Sequence, residues 1–507
     1  MGEPFYITTA ISYPNGPPHI GHAYEAIAAD AIARFQRAQG RDVRFQTGTD
    51  EHGLKMAQAA RADGVEPRTF ADKMSRLFQQ MCDTLNVSYD RFIRTSQPDH
   101  YRASQAIWTA MEERGDLYLD RYEGWYSIRD EAYYEAEELV SAQDGAKLSP
   151  QGTPVEWTVE ESWFFRLSRY QQPLLDLYAA NPEFIRPESR RNEVVRFVEG
   201  GLKDLSISRT SFDWGVPVPG SGNHVMYVWL DALTNYITGL GYPDDTELWR
   251  RYWPADIHLI GKDVVRFHAV YWPAFLMSAG ISLPKQVYGH GFLLSRGEKM
   301  SKSVGNVVDP MVLADRFGVD ALRYFLMREV PFGQDGSYSA EAIVNRANAE
   351  LANSFGNLAQ RTLAMIFKNL GGVLPSEGDA SVDGELLDLV RKATREEVPQ
   401  AFDRLAFSVG IEAWLRAVFA CNAYVDAQAP WALRKSDPER MAAVLGTLVV
   451  AVQELARAIA PVIPASADKL LTLIGVGDGG TPITQPTPLF PKLELQKEPE
   501  AAQEARL

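Results

Sequence analysis

The sequence predicts an α/β protein: a parallel sheet with helices, interrupted by an inserted lobe and followed by an α-helical bundle. Three observations carry this. The opening residues read strand, Pro/Gly-rich loop, helix, strand, which is how a parallel sheet begins. From about 117 to 206 the texture changes to short, aromatic-rich, acidic segments. Beyond Gly336 apolar residues recur at helical spacing, as in Leu351, Phe355 and Leu358.

Taken in order, residues 4–10 alternate and are rich in β-formers, so they predict a buried strand. A loop over 13–18 leads into a helix over about 19–39, and 45–47 is a second short strand. A helical region follows to about Arg114. The inserted lobe, a mix of sheet and helix, carries a polar loop over 141–154. The α/β pattern resumes at 225–230, 257–260 and 286–288. In the bundle a Gly/Ser/Asp-rich loop over 371–384 separates two helices, and the tail from Gly475 is irregular. The expected divisions are 1–116 and 207–297 for the two halves of the sheet domain, with 117–206 as the insertion. A connecting region at 298–342, a bundle at 343–475 and a tail at 476–507 complete them.

A chain of 507 residues is too long for one core. Its 46% hydrophobic and 23% charged content is that of a soluble globular protein. The most apolar stretch, 442–452, is too short to span a bilayer and runs into Gln453, Glu454 and Arg457, so it reads as a core helix. The N-terminus has no basic region followed by an apolar one, which fits a cytoplasmic protein without membrane attachment. Cys82 and Cys421, the two cysteines, lie too far apart in sequence for a CxxC pair. A net charge of −15 argues against a general nucleic-acid binder, so any RNA must be held by local basic patches.

Two motifs carry chemistry. Residues 13–22 read YPNGPPHIGH, with prolines before a helix start and His19 and His22 three apart on one face. The free N–H groups and positive dipole end there make an anion site, and two imidazoles above it can donate to a polyphosphate. Gly21 removes a side chain where a phosphate or base would approach. The competing readings are two capping histidines or a zinc pair, although zinc-binding helices usually space their histidines four apart. Residues 297–303 read GEKMSKS, in which Lys299 and Lys302 can clamp a triphosphate and neutralise leaving pyrophosphate. Alone, such a loop is solvated surface.

Together, HIGH and KMSKS resemble the paired signatures of class I aminoacyl-tRNA synthetases, which implies a Rossmann-like catalytic domain split by a connective insertion. The blocks TGTDEHG (47–53), YVWLDALTNY (227–236), HLIGKD (258–263) and RFHAVYWP (266–273) are similar to those of the methionyl-tRNA synthetases, and the resemblance runs over about 4–494. It implies that ATP, with Mg2+, activates L-methionine for transfer to methionine tRNA, initiator and elongator alike. Asp50 matches the carboxylate that receives the substrate amino group. Ile11, Tyr13, Trp229, Ala232, Leu233, Tyr236, His268 and Trp272 match the pocket for the methionine side chain. An aromatic-lined site suits a polarizable thioether, though each aromatic alone reads as ordinary core. Asp263 matches a ribose contact, and His290 and Leu293 match positions near adenine.

Relatives for valine, isoleucine and leucine carry a large editing insertion for which this chain has little room. A cysteine enzyme of the class needs thiolate-bound zinc. Many methionyl members hold a four-cysteine zinc knuckle in the insertion, but residues 122–134 contain no cysteine. The chain resembles the zinc-free branch, with a lobe held by packing and no metal expected. Asn357, Arg361 and Trp431 match the residues that read a CAU anticodon, while a core tryptophan at a helix start remains the other reading of Trp431. No appended tRNA-binding or dimerisation domain is expected after 494, which implies a monomer. A small-molecule adenylating enzyme would not need the bundle. A non-catalytic tRNA binder would not need the histidines and lysines.

Overall fold

In a computed structural model the chain divides into two compact units, Met1–Asp83 with Val87–Gly291 and Thr84–Asn86 with Phe292–Leu507. The structure describes residues 2–130, 132–142, 145–295, 298–299, 307–376, 378, 380–478 and 481–495.

The first unit is built on a six-stranded sheet. Strand β1 (Pro4–Thr9) is buried from Phe5 onward, as a strand covered on both faces must be. Helix α1 (Ile20–Ala38) follows, then β2 (Asp42–Thr49) and β3 (Arg91–Arg94). Strands β4 (Ile185–Arg186), β5 (Ile257–Gly261) and β6 (Val287–His290) complete the order β3-β2-β1-β5-β6-β4. Every pairing is parallel, with Ile7 in register with Phe45 on one side and Ile257 on the other. Strand order reverses between β1 and β5, so ligands are expected outside the carboxyl ends of these strands. Close packing fixes Gly48 on β2, where a Cβ would stand 2.0 Å from Ile93 O.

The structure differs from the sequence reading in three places here. Strand β3 lies inside the stretch read as helical, just before helix α2 (Pro98–Glu113), and four residues are too few to show a period. Strand β4 comes from the stretch read as insertion and forms the sheet's edge. Over 225–230 only Val225–Met226 is strand, and helix α3 (Val228–Thr238) takes the rest. All of α3 except Trp229 is buried. A segment buried all round shows no amphipathic period, so an apolar run there reads equally as strand.

The inserted lobe is an antiparallel sheet of Leu117–Ser127, Ala132–Tyr134, Glu156–Phe165 and Leu205–Ser206. Helices Gln171–Ala180 and Glu188–Glu199 accompany it. Its distal end is tied by the Asp130 carboxylate. Oδ2 accepts from Ser149 Oγ at 2.6 Å, Thr153 Oγ1 at 2.6 Å and Tyr134 OH at 3.0 Å. Asp130 N–H donates to Ser127 Oγ at 3.2 Å, and Ser127 Oγ lies 2.6 Å from Thr153 Oγ1.

The second unit is mainly helical. Helix α4 (Asn357–Asn369) is followed by α5 (Ala380–Lys392), which begins inside the stretch read as loop. Helices α6 (Phe407–Gln428), α7 (Pro430–Ser436), α8 (Pro438–Ile459) and α9 (Pro464–Asp478) complete the bundle. Although α8 is long and apolar enough to cross a membrane, Met441, Val444, Leu445, Leu448, Val452 and Leu455 on it are buried. It is the core helix expected, packed against α4, α5, α6, α7 and α9.

Candidate functional site

The first motif sits where β1 gives way to α1. His19 caps the helix with extended backbone, φ −131° and ψ 172°. Its Nδ1 accepts from Gly21 N–H at 3.1 Å, and His22 Nδ1 accepts from His19 N–H at 3.1 Å, a reciprocal capping box made of two imidazoles. With Nδ1 accepting, each neutral ring carries its proton on Nε2. The rings are 3.8 Å apart between centroids. Capping and phosphate donation are thus compatible, because the cap sets the tautomer that donation needs. A Cβ on Gly21 would stand 2.8 Å from His19 Cε1, so the room this glycine leaves is taken by the His19 ring rather than by a ligand.

One turn on, Glu25 Oε2 lies 2.8 Å from Nε2 of His290, the last residue of β6. His290 Nδ1 faces the Gly291 carbonyl at 2.8 Å and must donate to it, so the contact with Glu25 holds one proton shared by the pair. Burial pushes the Glu25 carboxyl up, partly offset by His290. Burial alone would push His290 down, but its hydrogen bond and attraction to Glu25 outweigh this and raise it. A small cavity beside the pair is bordered by Thr9, Ser12, His22, Thr47 and Gly48. Asp263, just past β5, is exposed.

The methionine positions assemble at the same end of the sheet. Ile11 and Tyr13 lie between β1 and α1, and Asp50 follows β2. Asp50 is 6% exposed and its N–H donates to Ser12 O at 2.9 Å, which ties the block 47–53 to the loop after β1. Tyr13 OH donates to His52 O at 2.8 Å. Ala232, Leu233 and Tyr236 are buried on α3. Trp229, half-buried, stacks on Phe267 at 3.8 Å and 6°. Tyr236 OH donates to His268 Nε2 at 2.6 Å, and His268 Nδ1 donates to Val264 O at 2.9 Å. Both ring nitrogens are satisfied with the imidazole neutral, and burial pushes its pKa down to about 4. His268 stands on a π turn, Phe267–Tyr271, of the kind often found at functional sites. Trp272 is fully buried, and its indole N–H donates to His258 Nε2 at 3.3 Å.

Sequence reasoning missed the supports of this pocket. Asp231 Oδ2 accepts from His52 Nδ1 and its Oδ1 from His100 Nε2, both at 2.6 Å. This joins the blocks around Asp50 and Trp229 to α2. Burial would push Asp231 up, but the two histidines outweigh it and bring its pKa down to about 2. Glu51, fully buried, accepts Nε and Nη2 of Arg94 at 2.7 and 2.9 Å. His52, Glu51 and Asp231 lie within the quoted blocks, but the network they form depends on His100 and Arg94, which no motif marks.

The remaining positions belong to the second unit. Leu293 lies on a strand, Leu293–Ser295, that pairs antiparallel with Glu298–Lys299 and parallel with Gly336–Tyr338. Lys302 lies outside the described residues. In the bundle Asn357 is exposed at the start of α4, with Arg361 one turn along. The Arg361 guanidinium carbon is 5.3 Å from the centre of the Trp431 ring, and its Nη2 is 3.2 Å from Asp426 Oδ1. Trp431 is 50% exposed on α7. The core-tryptophan reading is therefore wrong for Trp431.

Known proteins resemble this chain over nearly its whole length. Residues 5–363 match the family described as class I tRNA synthetases (M), and 381–494 match the anticodon binding domain of methionyl tRNA ligase. A methionine–tRNA ligase of Brucella suis is 58% identical, over 97% of this chain and 98% of its own length. One from Mycobacterium tuberculosis strain H37Rv is 55% identical, over 98% and 99%. The solved structure of Mycobacterium tuberculosis methionyl-tRNA synthetase in complex with methionyl-adenylate superposes with a TM-score of 0.93 at 55% identity, covering 96% of this chain and 100% of that one. By fold, motifs and relatives, the chain belongs to the methionyl-tRNA synthetases, class I ligases that activate methionine with ATP and join it to tRNA.

Proposed function

We propose a residue-level course for this activity, supported chiefly by the convergence of the His19/His22 cap, Asp50 and the buried aromatic pocket at the carboxyl ends of β1, β2 and β5. Asp50 receives the methionine ammonium. Trp229, Ala232, Leu233, Tyr236, His268 and Trp272, with Ile11 and Tyr13, enclose the thioether. The methionine carboxylate then attacks the α-phosphorus of ATP, giving methionyl-adenylate and pyrophosphate. His19 and His22 donate from Nε2 to phosphate oxygens as charge builds. Lys299 and Lys302 neutralise pyrophosphate, while Asp263, His290 and Leu293 hold the nucleoside. A terminal ribose hydroxyl of tRNA then attacks the adenylate carbonyl, forming the ester as the carbonyl–phosphate bond breaks, and AMP leaves with its phosphate taking the hydroxyl proton. No protein nucleophile is needed, because positioning and charge stabilisation lower the barrier.

Asn357, Arg361 and Trp431 read the CAU anticodon, so initiator and elongator methionine tRNAs are both charged. Among the described residues no group of three or more His, Cys, Asp or Glu is placed to hold a metal ion, so Mg2+ is read as arriving with the triphosphate. Zinc independence of the lobe is supported by the Asp130 hydrogen bonds. A cytoplasmic monomer fits this work in translation.

Asp50→Asn tests the central assignment. Hydrogen bonds to charged groups contribute about 1.5–3 kcal/mol, so methionine affinity by calorimetry should fall roughly ten- to a hundredfold with ATP binding intact. Unchanged methionine affinity overturns the role of Asp50. Parallel charging of initiator and elongator transcripts tests the tRNA range.

A further inference from the structure

Trp431 sits at the tip of a helical hairpin whose stems, α6 and α8, are joined through Ala429 and the short helix α7. Ala429 has φ +43°, in the left-handed region that a residue with a Cβ seldom adopts, so the tip needs outside contacts to hold it. One guanidinium supplies them. Asp383 on α5, 1% exposed, accepts from Arg440 Nη1 at 2.8 Å on Oδ2 and from Nη2 at 2.7 Å on Oδ1. Tyr424 OH donates to the same Oδ1 at 2.6 Å. Arg440 Nη2 also donates at 2.9 Å to Oε1 of Gln428, the last residue of α6. The Arg440 N–H is fixed by Asp437 Oδ1 at 2.9 Å, in the cap of α8.

The chain of contacts thus runs from a buried carboxylate on α5 to the first turn of α8, and from there to the residue just before the strained Ala429. We propose that Arg440, anchored by Asp383 and acting through Gln428, is a positioning residue that fixes the Trp431 ring beside Arg361 for anticodon stacking. This rests on the reading of Trp431 as a base-stacking residue. A two-pronged guanidinium–carboxylate pair defines an angle as well as a distance, which suits it to hold a ring in one orientation and which a lysine cannot reproduce. The Arg440 guanidinium, first among its neighbours, holds the Asp383 carboxyl below its ordinary value, so the anchor stays ionised at neutral pH.

The test uses the full-length enzyme with Arg440→Lys and Gln428→Ala, the second leaving the Arg440–Asp383 pair in place. Arg440→Lys should raise KM for tRNA about tenfold, and Gln428→Ala about threefold. The kcat for charging and methionine-dependent pyrophosphate exchange should stay unchanged. In a Trp431→Ala background neither variant should add a further loss, because Arg440 acts through the ring. Full additivity with Trp431→Ala, or a parallel fall in exchange, overturns the proposal. A second readout is independent of tRNA. With 5-fluorotryptophan in all 11 positions and the Trp431 fluorine signal assigned by Trp431→Phe, both variants should shift or broaden that signal. An unmoved signal overturns the positioning role. If Trp431→Ala leaves KM for tRNA unchanged, the stacking reading fails, and the fluorine signal alone still decides whether Arg440 holds the ring.

Discussion

Trp272 and Trp431 are both assigned to ligand recognition, yet Trp272 is fully buried in the first unit and Trp431 is half exposed in the second. Trp272 packs beside Tyr236, Trp253 and His258. Trp431 has Arg361 over its ring and solvent around it. The difference follows from what each would bind. A thioether is recognised by surrounding it with apolar, polarizable groups, so its pocket must be a piece of the core. A base is recognised by offering it a flat ring, so that ring must be kept out of the core. At one site folding and binding use the same atoms, and at the other they are separable.

The largest effect should come from Trp272→Ala. Removing a fully buried tryptophan typically costs about 3–5 kcal/mol. A thermal scan should show a lower Tm, and methionine KM should rise in the same protein. Loss of methionine binding at an unchanged Tm would break the comparison, because the pocket could then be altered without touching the core.

The same burial makes the pocket sensitive to acid. The pKa of His268 is pushed down to about 4 in the fold, from an ordinary value of about 6.5. Between these values the unfolded chain binds a proton that the folded chain refuses, so stability rises with pH through the window and is lost as pH falls from 6.5 toward 4. At about 1.4 kcal/mol per pKa unit, this one group accounts for about 3 kcal/mol. His258, also lowered by burial, adds in the same direction. Urea unfolding of the wild type and of His268→Gln at about pH 7 and about pH 4.5 measures it. The variant should lose part of the pH slope, and an identical slope would mean His268 is not held neutral.

Trp431→Ala should separate what Trp272→Ala joins. Stacking on an aromatic is worth about 1–3 kcal/mol per base, so tRNA charging should fall roughly five- to a hundredfold. Methionine-dependent pyrophosphate exchange and Tm should stay unchanged. A parallel fall in both activities and in Tm would show that the ring, although exposed, supports the fold and that the two roles are not separable.

The two sites were also unequally legible. Motif blocks marked the residues proposed for the pocket, and the parallel sheet brought Asp50, Trp229 and His268 to one end because each follows, or packs on, a strand's carboxyl end. The supports were not legible. His100 and Arg94 reach Asp231 and Glu51 across long sequence separations, and no local period marks such a contact. Strand β4, two residues long, left no pattern at all. Arg361 and Asn357 share a face by their spacing, but the exposure of Trp431 depends on how α6 turns into α7 at Ala429, and a non-glycine residue at positive φ gives no warning in sequence.

The smallest effect is expected in the inserted lobe, where Asp130 takes the middle ground between the two tryptophans. Its Oδ2 gathers the hydroxyls of Tyr134, Ser149 and Thr153, all three on buried residues. If hydrogen bonds rather than a metal hold this end together, Asp130→Asn should weaken it by about 1–2 kcal/mol, since an amide oxygen accepts less strongly than a carboxylate. Limited proteolysis should then cut sooner within the lobe, while the unfolding of the rest shifts little. Chelators should leave both wild-type activity and the proteolysis pattern unchanged. One tightly held zinc per chain in elemental analysis, or a chelator effect that mimics Asp130→Asn, would show that a metal shares the task of closing the lobe.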